Sequence, residues 1–382
     1  VKLGADFDAL IARFSADPGA PISLAVSGGS DSLALLWLAD EWAARAGRHL
    51  QVFTVDHGFR EEAQAEADYV ARLSQKLGHP HQTLTWQTPK KTQSAARRAR
   101  YQLLCDAARE VNGQVILTGH TFDDVIETAL IRRRRQVRDA SIAGPTLAAS
   151  APVWPEGRGI TMLRPLVHTR RAPLRDLLTK ENWSWIDDPS NEAVQFERAR
   201  VRLFLARHPR LNDICHQFVR ALQQTRARQD AALGDALNQV AVSDDGMIET
   251  TQTVMADRLL SILARCASGT DSEPRAHAIS DMQASLTKVG QRQTLGGAWF
   301  QKTKAGLRIG RDPGETQHMT RGEIYDGRFE RAVGTDLPSP EDQAFLVRHA
   351  APDGSDWREI ISERISHIAA CLQTPLLKPV ES

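Results

Sequence analysis

Cysteine is scarce in this chain: four in 382 residues, Cys105, Cys215, Cys266 and Cys371, far apart and with no C-x-x-C pair. That excludes a zinc knuckle and a disulfide framework, and it predicts buried thiols in a reducing compartment. Long apolar runs are missing too. None approaches the ~20 residues that cross a bilayer, and no apolar signal core follows Lys2, so a cytoplasmic location without a membrane partner is expected. Charge of one sign is absent, with 48 Lys plus Arg against 47 Asp plus Glu, so the net field points to no particular partner. Two common nucleotide signatures, G-x-x-x-x-G-K-[ST] and G-x-G-x-x-G, do not occur.

What is present is a Gly- and hydroxyl-rich turn, Ser27-Gly28-Gly29-Ser30-Asp31-Ser32, between a short β-branched run at 22–26 and a helical pattern at 33–42. Gly28 and Gly29 let the backbone approach a ligand. The serines offer hydroxyls, and the helix start offers free N–H groups and the positive end of its dipole. The turn therefore suits the phosphates of ATP. Asp31 beside phosphates would be repulsive without a divalent cation between them, which predicts Mg²⁺ on Asp31. The plainer alternative is a Ser/Gly turn with Asp31 as a helix-start charge.

Between residues 21 and 120, strand patterns at 22–26, 51–56, 80–86 and 114–118 alternate with helical ones at 61–77 and 95–111. This predicts an α/β fold, a parallel sheet with helices on both faces. Ligands of such sheets collect at the carboxyl ends of the strands, where Ser27, Asp56-His57 and Gly119-His120 all fall. Residues 139–159 read as a loop. Helical patterns follow at 172–181 and from about 194 past Arg202, and then over 211–240 and 259–266. Residues 294–309 read as a β-hairpin, and the tail from 313 as a small β-containing piece. The expected domains are 1–209 (catalytic), 210–312 (mainly helical, ending in the hairpin) and 313–382.

At the second strand's end, Asp56 and His57 could contact the nucleotide, or Asp56-His57-Gly58 could simply form a turn. The segment Gly119-His-Thr-Phe-Asp-Asp-Val-Ile-Glu127 is more acidic. On a helix starting near Phe122, Asp124 and Glu127 share a face, with Asp123 beside them. Acids in a first turn also favour the helix dipole. The sharper reading is a cation site, for a metal or an amine substrate, with His120 contacting phosphate or carrying a proton. Arginines cluster at 97–100, at 132–135 with Arg138, and at 198–207, a pattern compatible with a polyanion or with solvated helix faces.

The SGGxDS turn resembles that of the PP-loop (N-type) ATP pyrophosphatases, whose fold is adenine nucleotide alpha hydrolase-like. Further segments resemble the tRNA(Ile)-lysidine synthetases: Val55-Asp-His-Gly, Ala96-Arg97 through Arg100-Tyr101, Gly119 to Thr128, Arg164-Pro-Leu, Trp185-Ile-Asp-Asp-Pro-Ser-Asn191 and Phe196-Glu-Arg-Ala-Arg-Val-Arg202. Thr294-Leu-Gly-Gly with Leu307-Arg-Ile loosely resembles the family's carboxyl-terminal domain. The resemblance implies ATP-dependent adenylation of C2 of the wobble cytidine in a CAU anticodon of tRNA(Ile), followed by attack of free L-lysine. By position, Ser27, Gly28, Gly29, Ser30, Asp31, Ser32, Asp56 and His57 would bind ATP. Asp31, His120, Asp124, Glu127 and Arg97 would be catalytic, with Asp124 and Glu127 for lysine's ammonium and Arg97 for its carboxylate. Asp187, Asp188, Asn191, Arg198 and Arg202, with Arg132 and Arg133, would face tRNA. The family's Leu-Arg-Gly-x-Gly is here Ile131-Arg-Arg-Arg-Arg135, and its Arg-Asn-x-Arg is Arg198-Ala-Arg-Val-Arg202. Two rivals stand beside this reading: another PP-loop tRNA-modifying enzyme, and a tRNA-binding paralogue without turnover. Paired cysteines for sulfur chemistry are missing, which disfavours a thiolase. A homodimer is neither required nor excluded by the sequence.

Overall fold

The structure, a computed structural model, describes residues 3–56, 58, 62–87, 92–137, 140–154, 156–187, 197–252, 255–312, 314, 324–325, 329–330 and 357–376. His57, Asp188 and Asn191 lie outside the described residues. The chain forms two compact units, one of residues 1–151, 160–230 and 374–382, the other of 152–159 and 231–373.

The first unit is built on a six-stranded sheet in the order β3-β2-β1-β4-β6-β5. Its strands are β1 (Ile22–Ala25), β2 (Leu50–Asp56), β3 (His81–Thr85), β4 (Val115–Thr118), β5 (Ala148–Ser150) and β6 (Thr161–Leu163). All neighbours are parallel except the β5–β6 edge pair. Ile22 and Leu24 of β1 and Val115, Ile116 and Leu117 of β4 are fully enclosed, as expected of strands covered on both faces. The connecting helices are α1 (Ala5–Phe14), α2 (Ser30–Ala46), α3 (Glu62–Lys76), α4 (Gln93–Glu110), α5 (Phe122–Arg134), α6 (Arg171–Lys180), α7 (Glu197–Arg207) and α8 (Pro209–Asn238).

Two details set the site. Helix α2 begins at Ser30, three residues earlier than its apolar pattern, so Ser30, Asp31 and Ser32 form its first turn rather than a loop before it. Leu33, Leu35, Leu36 and Leu38 are buried around much of its circumference, and toward its far end Trp42 packs edge-on to Phe7 at 4.9 Å. Residues 139–159, expected as a loop, include a 3₁₀ turn at Ala140–Ala143 and strand β5. Strands β5 and β6, three residues each, are too short to show a period of their own.

The second unit has a five-stranded antiparallel sheet, β7 (Ala241–Val242), β8 (Ile248–Thr250), β11 (Leu307–Arg311), β10 (Ala298–Lys302) and β9 (Arg292–Leu295), in that order. The expected hairpin over 294–309 is thus three of its five strands. Helices α9 (Asp257–Ser268), α10 (Ala276–Ser285) and α11 (Trp357–Leu372) accompany it, with Leu259, Leu263, Phe300, Ile309, Ile361 and Trp154 in one core. Arg364 stacks on the Trp154 ring at 4.0 Å. The tail does contain a small β pair, β12 (Ile324–Tyr325) with β13 (Phe329–Glu330), but α11 was not anticipated. Its buried Ile360, Ile361, Ile365 and Ala369 form the apolar face that places it in this core. All four cysteines are buried, and no helix among the described residues is long and apolar enough to cross a membrane.

Candidate active site

The phosphate-type turn runs from the end of β1 into α2. Gly28 has φ +85°, and a Cβ there would lie 3.0 Å from Ile186 Cδ1, so both conformation and space call for glycine. Ser32 Oγ donates to the Gly29 carbonyl at 2.9 Å and accepts from the Ser27 amide at 3.2 Å, closing the turn on itself. Ile186 N donates to the Gly28 carbonyl at 3.0 Å. The stretch before residue 188 therefore lies against the turn.

The end of β4 approaches from the other side. A Cβ on Gly119 would stand 2.9 Å from Asp31 O and from Ser32 Cα and N, so only glycine permits this contact. His120 follows, its Nδ1 3.0 Å from Thr118 Oγ1. Burial, reinforced by the positive charge of Arg164, pushes its pKa down to about 4. His120 is therefore neutral at pH 7, a proton acceptor rather than a cation.

Helix α5 starts with three acids doing three different things. Asp123 Oδ2 accepts from the Arg171 amide at 2.8 Å and from Arg170 Nε at 3.3 Å, tying α5 to the start of α6. Asp124 Oδ2 accepts from the Thr121 amide and hydroxyl at 2.8 and 2.9 Å, which is helix-start capping. Its other oxygen, Oδ1, takes Arg171 at 3.3 Å. The capping and cation-site readings therefore share one carboxylate. Glu127, 2% exposed, meets Arg202 Nε at 2.8 Å, Arg198 Nε at 3.1 Å and Arg171 at 3.6 Å.

Arg171 is the centre of this cluster, and no sequence pattern had singled it out. Its Nε donates to Asp31 Oδ2 at 2.7 Å, and its other nitrogens reach Asp124 and Glu127. Burial raises the Asp31 carboxyl despite the neighbouring Arg171. For Asp124 burial also works upward, but Arg171 and Arg198 outweigh it and its pKa ends low. Burial alone would lower the Arg171 guanidinium, yet Asp31, Asp124 and Glu127 reverse that and raise it. One turn along α6, Arg175 Nε donates to Ser30 Oγ at 3.2 Å and a terminal nitrogen meets Asp187 at 3.2 Å. The signal that could have found the two was their i, i+4 spacing just after Arg164-Pro-Leu.

The remaining expected residues are placed as follows. Asp56 Oδ1 accepts from the Gly58 amide at 2.8 Å, a local turn. Arg97 is exposed, lies over Tyr101 at 4.9 Å and acts on His120 only through its charge. Arg132 bonds the Ser141 carbonyl, and Arg133 lies over the half-exposed Phe218 ring at 5.5 Å. Arg134 and Arg135 both pair with Glu197, so the arginine run in place of the glycine loop extends α5 and braces it on α7. Arg198 and Arg202, expected on the tRNA side, both reach Glu127.

Asp31 is a single carboxylate with Ser30 Oγ 3.4 Å away, and no group of three or more His, Cys, Asp or Glu among the described residues could hold a metal. One carboxylate plus phosphate oxygens is a usual donor set for Mg²⁺, so the turn fits a Mg²⁺–phosphate complex and not a metal held by protein alone.

A model of the PP-loop domain, ATP_bind_3, matches residues 4–209. The tRNA(Ile)-lysidine synthase of Hyphomonas neptunium is 38% identical over 284 residues, 72% of this chain and 77% of that protein. The one from Caulobacter vibrioides is 33% identical over 340 residues, 85% of this chain and 77% of the relative. Among solved structures, a U34-tRNA thiolase from Methanococcus maripaludis superposes with a TM-score of 0.44 at 12% identity, covering 58% of this chain and 79% of that one.

Proposed function

The chain belongs to the tRNA(Ile)-lysidine synthase family and is an ATP-dependent ligase with a PP-loop domain, and we propose that it joins L-lysine to C2 of the wobble cytidine in a CAU anticodon through an adenylated cytidine. The observation that carries this reading is the buried meeting of the phosphate-type turn with Asp124 and Glu127 around one guanidinium. Arg171, Arg198 and Arg202 already balance these acids, and the ammonium of lysine is a cation of the same sign that can take their place on the carboxylate oxygens.

In the first step the cytidine O2 attacks the α-phosphorus of ATP. The O2–P bond forms, the bond from that phosphorus to the bridging oxygen breaks, and its electron pair leaves on pyrophosphate. Gly28, Gly29 and the hydroxyls of Ser27, Ser30 and Ser32 hold the phosphates at the start of α2. Asp31 would hold Mg²⁺, which supplies charge neutralisation on the phosphate oxygens. In the second step the lysine ammonium first loses a proton, the freed Nζ lone pair attacks C2, the C2–O2 bond breaks with its electrons going to AMP, and the nitrogen then sheds a second proton to solvent. Asp124 and Glu127 orient the ammonium, Arg97 is assigned the lysine carboxylate, and neutral His120 is placed to accept the first proton. Arg132, Arg133 and Asp187 are assigned to tRNA, as are Asp188 and Asn191 outside the described residues, within a catalytic region of 1–209 and a tRNA-holding region from 210 to 312. Arg198 and Arg202 hold Glu127 and carry charge toward the same substrate.

The test is ATP-dependent transfer of labelled lysine to tRNA(Ile) with a CAU anticodon, with AMP and pyrophosphate counted. Stoichiometric release of both with lysine incorporation is expected. ATP binding with no transfer, or transfer of sulfur or ammonia, would overturn the reading.

A further inference from the structure

The Ser27–Ser32 turn carries one formal charge, and for a phosphate it has the wrong sign. Residues 27–32 contain no Lys or Arg, and Asp31 is their only ionisable group. A polyphosphate whose terminal groups are to leave with extra charge needs cations at the place where that charge grows. Backbone amides and the α2 dipole supply partial charges only.

Helix α6 supplies full ones. Arg171 stands on Asp31 and Arg175 on Ser30 Oγ, consecutive residues of the turn, from positions one helical turn apart. The helix start is fixed from below by Asp123, which takes the Arg171 amide, and Pro173 falls in the first turn, where its missing N–H costs nothing. Arg175 is further braced by Asp187 and by the Trp185 ring at 5.5 Å. Both forks are thus aimed at the turn by a rigid element and not by a loop.

We propose that Arg171 and Arg175 bind the β- and γ-phosphates of ATP and carry the pyrophosphate as it leaves. The proposal rests on the ligase reading above and adds the groups that serve the leaving side. Arg171 now rests on three carboxylates, the same oxygens that a divalent cation on Asp31 and an ammonium on Asp124 would claim. Phosphate oxygens offer its guanidinium replacement acceptors of the same charge and of forked geometry. As the α–β bond breaks, the electron pair settles on the oxygen that becomes terminal in pyrophosphate, and the two guanidiniums neutralise it without taking or giving a proton.

The experiment is calorimetric titration of the full chain with inorganic pyrophosphate in excess Mg²⁺, for wild type, Arg175→Ala and Arg171→Lys. It is accompanied by the KM values for ATP and lysine in the transfer assay. Arg175 is partly exposed and its removal leaves no buried acid unpaired, while Arg171→Lys keeps the charge among the carboxylates and loses the fork, so both variants remain folded. Pyrophosphate affinity is expected to drop at least tenfold in each, and in Arg175→Ala the ATP KM should rise while the lysine KM holds. Wild-type pyrophosphate affinity in both variants, or a change confined to the lysine KM, would overturn the proposal. Failure of the wild-type chain to transfer lysine while it still binds pyrophosphate through these arginines would count against the ligase reading alone.

Discussion

Arg202 holds Glu127 with a fork: its Nε donates to Oε1 at 2.8 Å and a terminal nitrogen donates to Oε2 at 3.3 Å. With Glu127 2% exposed and Arg198 and Arg171 also on it, the carboxylate is over-supplied with positive charge. An incoming ammonium therefore has to win oxygens from guanidiniums, and what decides the exchange is the geometry each cation can reach.

The variant Glu127→Gln removes the charge and leaves three arginines crowded around a neutral amide. The lysine KM is expected to rise at least tenfold, and unfolding free energy to fall by about 1–2 kcal/mol, since Arg198 and Arg202 are partly exposed and only Arg171 is largely enclosed. Steady-state kinetics over lysine concentration and a urea titration measure the two. An unchanged KM would place the ammonium elsewhere.

Asp31 is the only carboxylate on the phosphate-type turn and the main acceptor of Arg171. Asp31→Ala should cut pyrophosphate release by at least about a hundredfold, since both the cation ligand and the anchor of Arg171 are lost. The product assay decides it directly, and release at the wild-type rate would remove Asp31 from the metal site.

Gly119→Ala asks whether the close approach of the β4 end to α2 is needed. The added Cβ would meet three backbone atoms at 2.9 Å, and backbone yields less easily than a side-chain tip. A loss of about 1–3 kcal/mol is expected, with a raised ATP KM because Ser32 and Asp31 are what move. A thermal melt identical to wild type would show that the strand end relaxes freely.

These sites differ in how far the sequence announced them. The turn and the acids of α5 are each contiguous, so spacing alone puts Ser27 through Ser32, and Asp124 with Glu127, on shared faces. The alternating apolar runs likewise foretold the parallel sheet, because doubly covered strands such as β1 and β4 must be apolar throughout. Arg171 gave no such signal: it reaches Asp31 from 140 positions further along the chain, and one arginine in an arginine-rich sequence looks like a solvated charge. Ile186 over Gly28 was hidden for the same reason. Helix α11 was hidden by the Gly/Pro-rich stretch before it, and β6 by its length of three residues. Arg198 and Arg202 were visible as a cluster, but a pattern of like charges does not say which acid it serves.

The last prediction concerns acid. Burial holds His120, His168 and His367 at about 4, against 6.5 in an unfolded chain. Between those values the unfolded state takes protons that the folded state refuses, so stability must rise with pH across that window and level off above about 6.5. Each such histidine contributes up to roughly 3 kcal/mol, lost as pH falls toward 4. Asp31 works the other way, since its raised carboxyl pKa makes the folded state hold a proton more readily than the unfolded one, but one carboxyl cannot offset three imidazoles. The melting temperature should therefore drop between pH 7 and pH 5. Replacing His168, near Gln223, Arg220 and Arg226, by glutamine should flatten part of that drop. Lysine transfer should stay level in the same range as far as His120 governs it, because a group titrating near 4 is already neutral at pH 5.5. A melting temperature independent of pH from 5 to 7 would mean that the folded and unfolded chains bind the same number of protons there, and that burial does not depress these imidazoles.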